Sequence, residues 1–308
     1  MELDKQYRAL NESFDKKLVF RLGIEAGFFS EYNNMILAMA YCLKHGIRFS
    51  MYSENAWFSK TGWTDFFEPF CQEEKARIHN RINTREVPPP PSKRMWLLTG
   101  VSRLKYGIDY FTYELWQEFR NRELEQESFV IPELGIDGKL REACKVLTDI
   151  TWRYNPATQN EVDQIIESVG LPAQYLGFHI RGGDKYIEDK LHPVGRYFDE
   201  IKKQSACRHS FVLTDDYRVI DTIRNQYPEW TIYTLCREDE RGYYHQDFMK
   251  RDPDFIREQT LRLFTSTDIL RNSELFIGTF TSNPGMYLGM RMDRERCLGV
   301  GGTKWRLW

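Results

Sequence analysis

The sequence of 308 residues lacks several features that would assign it to a class of protein. No stretch approaches about 18 uninterrupted apolar residues, so we expect no transmembrane helix. The 43 basic side chains do not outnumber the 45 acidic ones, which argues against nucleic acid as the main partner. The six cysteines lie far apart without a CxxC pair, a pattern typical of neither a zinc site nor a disulfide framework.

The amino-terminal segment MELDKQYRALNESFDKK is charged throughout and has no apolar core of a signal peptide. Together with the scattered cysteines, this predicts reduced thiols and a cytoplasmic protein. A soluble fragment of a lumenal enzyme would show the same pattern after removal of its targeting segment.

Aromatic residues, in contrast, are abundant. The 20 Phe, 17 Tyr and 8 Trp make up 15% of the chain. Aromatic side chains fill cores and interfaces, and their flat faces also suit stacking on sugar rings. Core packing is the favoured interpretation, also for each of the three tryptophans that are candidates for stacking on an acceptor glycan. These are Trp57, Trp63 and Trp96.

Apolar runs and helical spacing alternate near the start of the chain. An apolar run over 18–23 predicts a buried strand, and the spacing of apolar residues over 31–45 predicts a helix. Gly46 is expected to end that helix, and the alternation over 47–52 predicts a second strand. A strand–helix–strand unit of this kind is typical of a parallel sheet.

A proline run separates this unit from the rest of the chain. Pro88 to Pro91 predict an extended spacer. Two charged segments after it predict helices over 108–127 and 137–154, and Gly170-Leu171-Pro172 predict a break. The elements predicted beyond the break are strands 175–180, 210–214, 231–234 and 275–279, with helices 218–226 and 255–271.

Alternation of strands and helices over 175–290 is typical of a Rossmann-like nucleotide-binding domain. The sequence therefore predicts an α/β protein with two Rossmann-like domains that face a cleft. Residues 1–169 form the first domain, and residues 170–308 form the second, which binds the nucleotide.

Three polar loops follow the predicted strands of the second domain. They are His179-Ile180-Arg181-Gly182-Gly183-Asp184-Lys185, Thr214-Asp215-Asp216, and Thr279 to Gly285. Ligands bind beyond the carboxyl ends of parallel strands, so a site is expected here. The guanidinium of Arg181 suits a diphosphate, and the glycines allow close approach of the backbone. The alternative is a surface cluster of salt bridges.

The first loop carries a family resemblance. HIRGGDK, followed by Glu188 and then His192-Pro193, resembles the donor-binding motif of the α1,6-fucosyltransferases, which belong to a wider superfamily that uses GDP-fucose. LTDD at 213–216 and GTFTSN at 278–283 also resemble stretches of that family.

Two upstream blocks resemble the same family. They are Gly27-Phe28-Phe29-Ser30 and Gly62 to Pro69, so the resemblance spans about residues 18–290 in the same order. It implies a GT-B-like glycosyltransferase that moves L-fucose from GDP-fucose to a hydroxyl of a glycan with inversion, in an α1,6 linkage to GlcNAc. It implies neither a cofactor nor a metal.

One residue departs from the family pattern. The second arginine of the family motif is Gly182 in this chain, which leaves the linkage and the subfamily open. Two other functions also remain. The chain could transfer a different sugar from another nucleotide, or it could be a catalytically silent module that binds a sugar or a nucleotide.

The resemblance implies roles for single residues of the first loop. Arg181 would bind the diphosphate and neutralise the leaving group, with Gly182 and Gly183 beside it. His179 would contact the nucleotide, and Lys185 would lie near the reacting phosphate or sugar. Asp184 would hold the loop.

Other roles fall on later and earlier residues. Asp268 would receive the guanine, Ser282 with Thr281 would donate to the β-phosphate, and Gly27 belongs to the donor-binding set. The catalytic base is Glu188 when the motif is anchored on His192-Pro193. It is Asp189 when the motif is anchored on His179.

Several motifs have a structural interpretation that we favour over a functional one. Asp252-Pro253-Asp254 resembles a metal-binding Asp-x-Asp motif, but its place before a helix favours an N-cap. Asp215-Asp216 could bind a metal, but capping or loop hydrogen bonds are favoured. Helical spacing predicts that one further set packs in the core: Met286, Tyr287, Met290 and Met292.

Overall fold

The computed structural model describes residues 3–24, 26–85, 93–182 and 192–302. The chain groups into two compact units that divide between Asn155 and Pro156. This division lies before the helix over 156–169, whereas the sequence places the domain boundary after it. The reason is an interaction inside the second unit: Glu161 on this helix binds Arg257 through two hydrogen bonds of 2.6 and 2.8 Å.

The first unit contains a three-stranded parallel sheet with the order β2-β1-β3 and an antiparallel pair β4-β5. The elements are α1 (Leu3–Glu12), β1 (Lys16–Arg21), α2 (Phe28–His45), β2 (Ile47–Tyr52), α3 (His79–Ile82), α4 (Lys93–Tyr106), β3 (Tyr110–Phe111), α5 (Thr112–Phe119), β4 (Phe129–Ile131), β5 (Ile136–Gly138) and α6 (Leu140–Thr151).

The predicted strand–helix–strand unit is confirmed. The centre of β1, Leu18 to Phe20, is fully buried, which explains its continuous apolar run. α2 ends where predicted, because Gly46 adopts a left-handed conformation (φ 61°) and its N–H donates to the carbonyl of Cys42.

The abundant aromatic residues form the core of the first unit. The ring of Phe28 lies between 4.9 and 6.2 Å, centroid to centroid, from five other aromatic rings. Offset and edge-to-face arrangements at such distances stabilise a core beyond the burial of area. The five partners are Phe29, Tyr32, Phe58, Phe67 and Trp152.

The second unit contains a five-stranded sheet with the order β10-β9-β6-β7-β8, in which every neighbouring pair is parallel. The elements are α7 (Pro156–Val169), β6 (Leu176–His179), α8 (Val194–Ile201), β7 (His209–Leu213), α9 (Tyr217–Gln226), β8 (Thr231–Tyr233), α10 (His245–Phe248), α11 (Pro253–Asn272), β9 (Phe276–Gly278), α12 (Asn283–Arg291) and β10 (Cys297–Gly299).

This strand order has a specific consequence. Numbered within the second unit, the strands run 3-2-1-4-5, which matches the first five strands of the doubly wound Rossmann order 3-2-1-4-5-6. The chain moves from β6 to one side through β7 and β8, and it returns to the other side with β9. The order therefore changes direction between β6 and β9, and in such sheets this point is where ligands bind.

The helix predicted over 108–127 is confirmed only in part, as α5. Tyr110 and Phe111 form β3 and pair with Leu18 and Val19 of β1, so α5 begins only after them. α5 ends at Phe119, because Asn121 starts a separate short turn by accepting a hydrogen bond from the N–H of Glu123. Pairing in the sheet and local capping thus shorten the helix that the charged composition of this segment predicts.

Other elements differ from the predictions at their ends or were not predicted. The helix predicted over 137–154 is confirmed as α6 but is shorter, because the β4-β5 pair occupies the residues before it. Elements that the sequence patterns did not predict are that antiparallel pair, β10 and the helices α1, α3, α4, α7, α8 and α10. Among the described residues, no helix is long and apolar enough to span a membrane.

Candidate functional site

The candidate site lies in the second unit, where β6 and β9 end side by side. His179 is the last residue of β6, and Gly278 is the last residue of β9. A Cβ atom added to Gly278 would lie 3.4 Å from the Cβ of His179, so the two strand ends are in close contact. The first and third polar loops of the sequence analysis leave the sheet at this point.

A side-chain contact joins the two loops. The Nδ1 of His179 lies 3.3 Å from the Oγ of Ser282, and both residues are almost fully buried. The hydroxyl of Ser282 is also 3.0 Å from the carbonyl of Thr279. Because a serine has one hydrogen to donate, donation to that carbonyl makes Ser282 the acceptor of an Nδ1–H of His179.

Ser282 also begins the helix that follows. It is the N-cap of α12, and its Oγ accepts a hydrogen bond from the N–H of Gly285 at 3.3 Å. The start of α12 therefore lies at the same strand edge as His179. The N-terminus of a helix attracts anions through its backbone N–H groups and its dipole. The predicted partner of Ser282, Thr281, has an exposed side chain.

Gly285 makes this tight connection between β9 and α12 feasible. A Cβ atom at this position would lie 2.0 Å from the carbonyl oxygen of Thr279. No side chain fits at that distance, so the loop can close onto the helix only with glycine.

Arg181 lies two residues after β6, with a side chain that is 20% exposed. Its guanidinium is 3.5 Å from the carboxylate of Asp215, and its central carbon lies 5.7 Å from the centroid of the Tyr243 ring. The guanidinium is therefore held by a charge and an aromatic face while part of it remains accessible to a ligand.

Asp215 connects three segments of the second unit. Its carboxylate accepts a hydrogen bond from the N–H of Gly182 at 2.7 Å and one from the N–H of Tyr243 at 2.9 Å. Its carbonyl accepts a third from the N–H of Gly242, also at 2.7 Å. The preferred interpretation of Asp215, loop hydrogen bonds, is thus confirmed. Tyr243 was missed, because nothing in the local sequence shows that residue 243 returns to residue 215.

Asp216 is the N-cap of α9, as favoured in the sequence analysis. Its carboxylate accepts a hydrogen bond from the N–H of Arg218 at 3.0 Å and binds the guanidinium of the same residue. These hydrogen bonds lower the pKa of Asp216 below its usual value.

The packing of Asp216 also explains Gly182. A Cβ atom at position 182 would lie 3.0 Å from the Cβ of Asp216, which is tighter than ordinary contact. The glycine that departs from the family pattern is therefore placed where a larger side chain would require the start of α9 to shift.

Asp268 lies on α11, where it binds a residue of the next helix. Its carboxylate is 2.7 Å from the guanidinium of Arg291 on α12, and both side chains are largely buried. Arg291 also donates a hydrogen bond to the hydroxyl of Tyr287. The role of Asp268 toward guanine stays a prediction, since a carboxylate can accept from more than one donor.

Gly27 is in the first unit, where it is the residue before α2. Its carbonyl accepts hydrogen bonds from the N–H groups of Ser30 and Glu31. The loop before it is held by Glu31, which is buried and accepts from the N–H groups of Gly23 and Ala26. Glu31 was not among the predicted site residues, although an acidic residue in the first turn after a glycine-containing loop is a recognisable signal.

The three candidate tryptophans have different environments. Trp63 is buried and stacks on Phe67 with a centroid distance of 4.3 Å, so it belongs to the core. Trp57 is half-buried and donates its Nε1–H to the carbonyl of Ala26. Trp96 on α4 is 71% exposed, so the core packing favoured for it is wrong.

Two other structural interpretations are confirmed, the N-cap role of Asp252 and the core packing of the set around Tyr287. Asp252 is the N-cap of α11 and accepts a hydrogen bond from the N–H of Phe255 at 2.9 Å. Within the described parts of the chain, no group of three or more His, Cys, Asp or Glu residues is arranged to hold a metal ion. The set predicted to pack in the core is buried: Met286, Tyr287, Met290 and Met292.

Five of the predicted site residues lie outside the described residues. They include both candidates for the catalytic base and the lysine of the motif: Gly183, Asp184, Lys185, Glu188 and Asp189. Of the predicted residues that the structure describes, it brings together His179, Arg181, Gly182 and Ser282 around the ends of β6, β7 and β9.

Solved structures with a similar fold are fucosyltransferases. A crystal structure of the α1,6-fucosyltransferase NodZ soaked with GDP-fucose is similar with a TM-score of 0.54 and 16% identity, over 90% of this chain and 93% of that chain. NodZ from Bradyrhizobium, as the selenomethionine protein, gives a TM-score of 0.53 and 14% identity, over 94% and 98%. No protein-family model and no curated protein sequence matches the chain. The chain thus has the fold of the NodZ fucosyltransferases.

Proposed function

We propose that this protein is a fucosyltransferase that moves L-fucose from GDP-fucose to a hydroxyl of a glycan acceptor. One observation carries the proposal: His179, Arg181 and the start of α12 meet at the point where the order of a parallel sheet changes direction. A NodZ enzyme with a similar fold was soaked with GDP-fucose, which supports the choice of donor.

The residues at this edge suit a nucleotide diphosphate. The guanidinium of Arg181 offers a planar pair of donors to two phosphate oxygens. The N-terminus of α12 offers backbone N–H groups and a positive dipole end to the same anion. When the bond between the fucosyl anomeric carbon and the diphosphate breaks, negative charge develops on the leaving GDP, and these groups stabilise it.

We further propose a single displacement with inversion. An acceptor oxygen forms a bond to the anomeric carbon while the bond from that carbon to the β-phosphate oxygen breaks. The proton of the acceptor hydroxyl passes to a carboxylate, Glu188 or Asp189, and GDP leaves with the bonding electron pair. Transfer in an α1,6 linkage to GlcNAc is the finer form of this proposal, and it is supported by the motif resemblance alone.

A panel of nucleotides tests the choice of donor. GDP and GDP-fucose are expected to raise the melting temperature, and fucose transfer to a mixture of GlcNAc-containing glycans is expected. GDP-mannose and UDP-sugars serve as the comparison. Stabilisation by UDP without stabilisation by GDP would contradict the proposal, and GDP binding without transfer from any donor would favour a silent binding module.

Transfer that is undiminished by EDTA is expected, since the cationic groups are supplied by the chain.

Variants of the two candidate bases separate binding from chemistry. If Glu188 is the base, Glu188→Gln is expected to lower turnover by about 10²–10⁴-fold with unchanged affinity for GDP, whereas Asp189→Asn has a small effect. The reverse result assigns the base to Asp189. Retained turnover in both variants would exclude a base from this segment.

A further inference from the structure

Helix α4 in the first unit has an exposed apolar face. Seven large hydrophobic side chains of the described residues are strongly exposed, and four of them belong to this one helix. The four are Trp96 (71% exposed), Leu97 (59%), Val101 (52%) and Leu104 (90%). Scattered apolar residues on a surface are ordinary, but a contiguous group of this kind marks an interaction surface.

The four residues lie on one side of the helix. At about 100° per residue, they fall within an arc of about 140°, and Gly100 falls inside the same arc. The opposite side of α4 is attached to the first unit. Ser102 is buried on that side. Arg103, at the edge of the apolar arc beside Trp96, also attaches the helix, because it binds Glu114 through two hydrogen bonds of 2.6 Å. Its guanidinium also lies over the ring of Phe111. The helix thus docks by one face and presents the other to solvent.

The charge of this segment has one sign. Residues 93–108 contain four basic residues and no acidic residue, in a chain whose overall net charge is -2. The lysines at the two ends of the helix are exposed. Lys93 falls within the apolar arc at the start of the helix, and Lys105 falls beside the arc at its end. An apolar face with a tryptophan, flanked by basic residues, is the pattern of helices that lie in the interface of a membrane.

We propose that α4 binds the surface of an anionic lipid membrane, with Trp96, Leu97, Val101 and Leu104 inserted between the lipids and Lys93 and Lys105 at the headgroups. Two observations favour lipid over a protein partner. Leu104 and Trp96, the most exposed of the four, project from the surface, which suits a fluid phase that can surround them. A second copy of the chain would bring basic helices against each other, and like charges repel.

The membrane surface would attract the helix in two ways. Burial of the four apolar side chains removes them from water, and the lysines interact with anionic headgroups. The proposal does not depend on the proposed transfer of fucose. It implies only that the first unit of the chain is held at a membrane surface by α4.

Vesicle flotation tests the proposal with the full chain. Binding is measured on phosphatidylcholine vesicles with and without about one third phosphatidylglycerol, at low and at high salt. The wild type is expected to float with the anionic vesicles and to dissociate as the salt concentration rises. The apolar variant Leu97→Ser/Leu104→Ser is expected to bind at least about tenfold more weakly. The charge variant Lys93→Gln/Lys105→Gln is expected to lose about fivefold per lysine.

A control variant outside α4 tests whether the loss of any exposed apolar side chain weakens binding to vesicles. Val130→Ser removes another exposed apolar side chain, one that lies on β4 outside the helix, and it is expected to bind like the wild type. Equal melting temperatures of all variants show that folding is intact. The proposal is overturned if the wild type fails to float, or if it floats equally well with neutral vesicles. It is also overturned if the wild type is a dimer in solution that Leu104→Ser dissociates and that binds no vesicles.

Discussion

At the scale of single residues, Asp215 holds the loop that carries Arg181. Its carboxylate accepts two backbone N–H groups, from Gly182 and from Tyr243, and it faces the guanidinium of Arg181. A carboxylate is suited to this position because both of its oxygens accept, so it can join two segments and balance a cation at the same time.

The variant Asp215→Asn tests this role. An amide in place of one oxygen would point a donor at a backbone N–H, so one hydrogen bond is lost and Arg181 loses its charged neighbour. We expect affinity for GDP to fall by about tenfold or more, measured by titration calorimetry. Asp239→Asn, on an exposed residue of the loop that leads to Tyr243, is the control and should keep wild-type affinity. Equal affinities in both variants would contradict the role.

A direct test of Arg181 follows from the same geometry. Arg181→Ala is expected to lower turnover with GDP-fucose by about 10²–10³-fold, since a preorganised donor at the developing charge is removed. Arg237→Ala, an arginine of the second unit paired with Glu258, serves as the control. Wild-type transfer rates in Arg181→Ala would refute the assignment of the donor site.

His79 makes the stability of the first unit depend on pH. It is fully buried between Tyr52 and Phe111, with its Nδ1 at 3.3 Å from the amide nitrogen of Asn83. Burial lowers the pKa of His79 to about 4 from the ordinary 6.5, because the charged form cannot be hydrated there. The folded protein therefore holds a neutral His79, while the unfolded chain binds a proton below pH 6.5.

The sign of this shift gives a prediction for stability. As the pH falls from 6.5 to about 4, only the unfolded state takes up the proton, so the free energy of unfolding decreases by about 3 kcal/mol. Urea unfolding at pH 7 and pH 4.5 measures the decrease. His79→Gln should show a smaller decrease than the wild type, whereas His209→Gln, on an exposed histidine, should not. An identical pH dependence in all three proteins would refute the assignment to His79.

At the scale of elements, the two helices that follow α10 begin in the same way and differ in their surroundings. α11 begins with Asp252 as N-cap and α12 with Ser282, and each has a proline in its first turn. Only Ser282 also contacts His179. A comparison of variants at these two N-caps therefore distinguishes the effect of losing a cap on stability from an effect on the candidate site.

The variants Ser282→Ala and Asp252→Ala should each lower the free energy of unfolding by about 1 kcal/mol, since each helix loses its side-chain cap. Thermal unfolding measures this loss. Only Ser282→Ala is expected to weaken the binding of GDP, because His179 loses its partner and the anion-binding helix end is disturbed. A similar loss of affinity in Asp252→Ala would show that the effect arises from stability.

Sequence patterns predicted four of the five strands of the second unit. The three central strands, β6, β7 and β9, are largely buried and read as short apolar runs between glycine, proline and polar residues, whereas the missed β10 is only partly buried at an edge of the sheet. The segment over 108–127 shows the limit. Tyr110 and Phe111 have no strand pattern of their own. They form a strand because the fold places them beside the free edge of β1, with which they pair. The formation of two-residue strands and of charged helices such as α4 depends on contacts with neighbouring elements more than on the intrinsic propensity of their residues.

At the scale of the whole molecule, the two units each have a parallel sheet and a core, and they divide before α7. α7 contributes the buried Val162 and the pair of Glu161 with Arg257 to the second unit. The predicted domain boundary at 169/170 would separate this helix from α11.

Two fragments test where the second unit begins. Residues 156–308 are expected to fold alone and to bind GDP with an affinity close to that of the full chain. Residues 170–308 should melt at a lower temperature, because α11 loses the apolar contacts and the ion pair that α7 provides. Circular dichroism measures the melting temperatures, and equal values for the two fragments would contradict this boundary.

The sequence by itself determined the α/β class, about half of the helices and strands, and the three polar loops after strand ends. Burial and the placement of glycine, proline and polar residues are local properties of the sequence. It also indicated the resemblance to fucosyltransferases, which is confirmed at the level of the fold. Only the tertiary structure decided which loops meet. His179 reaches Ser282, Asp215 reaches Tyr243 and Asp268 reaches Arg291. Those contacts depend on strand order and helix packing, which join residues far apart in the chain and leave no periodic signal in it.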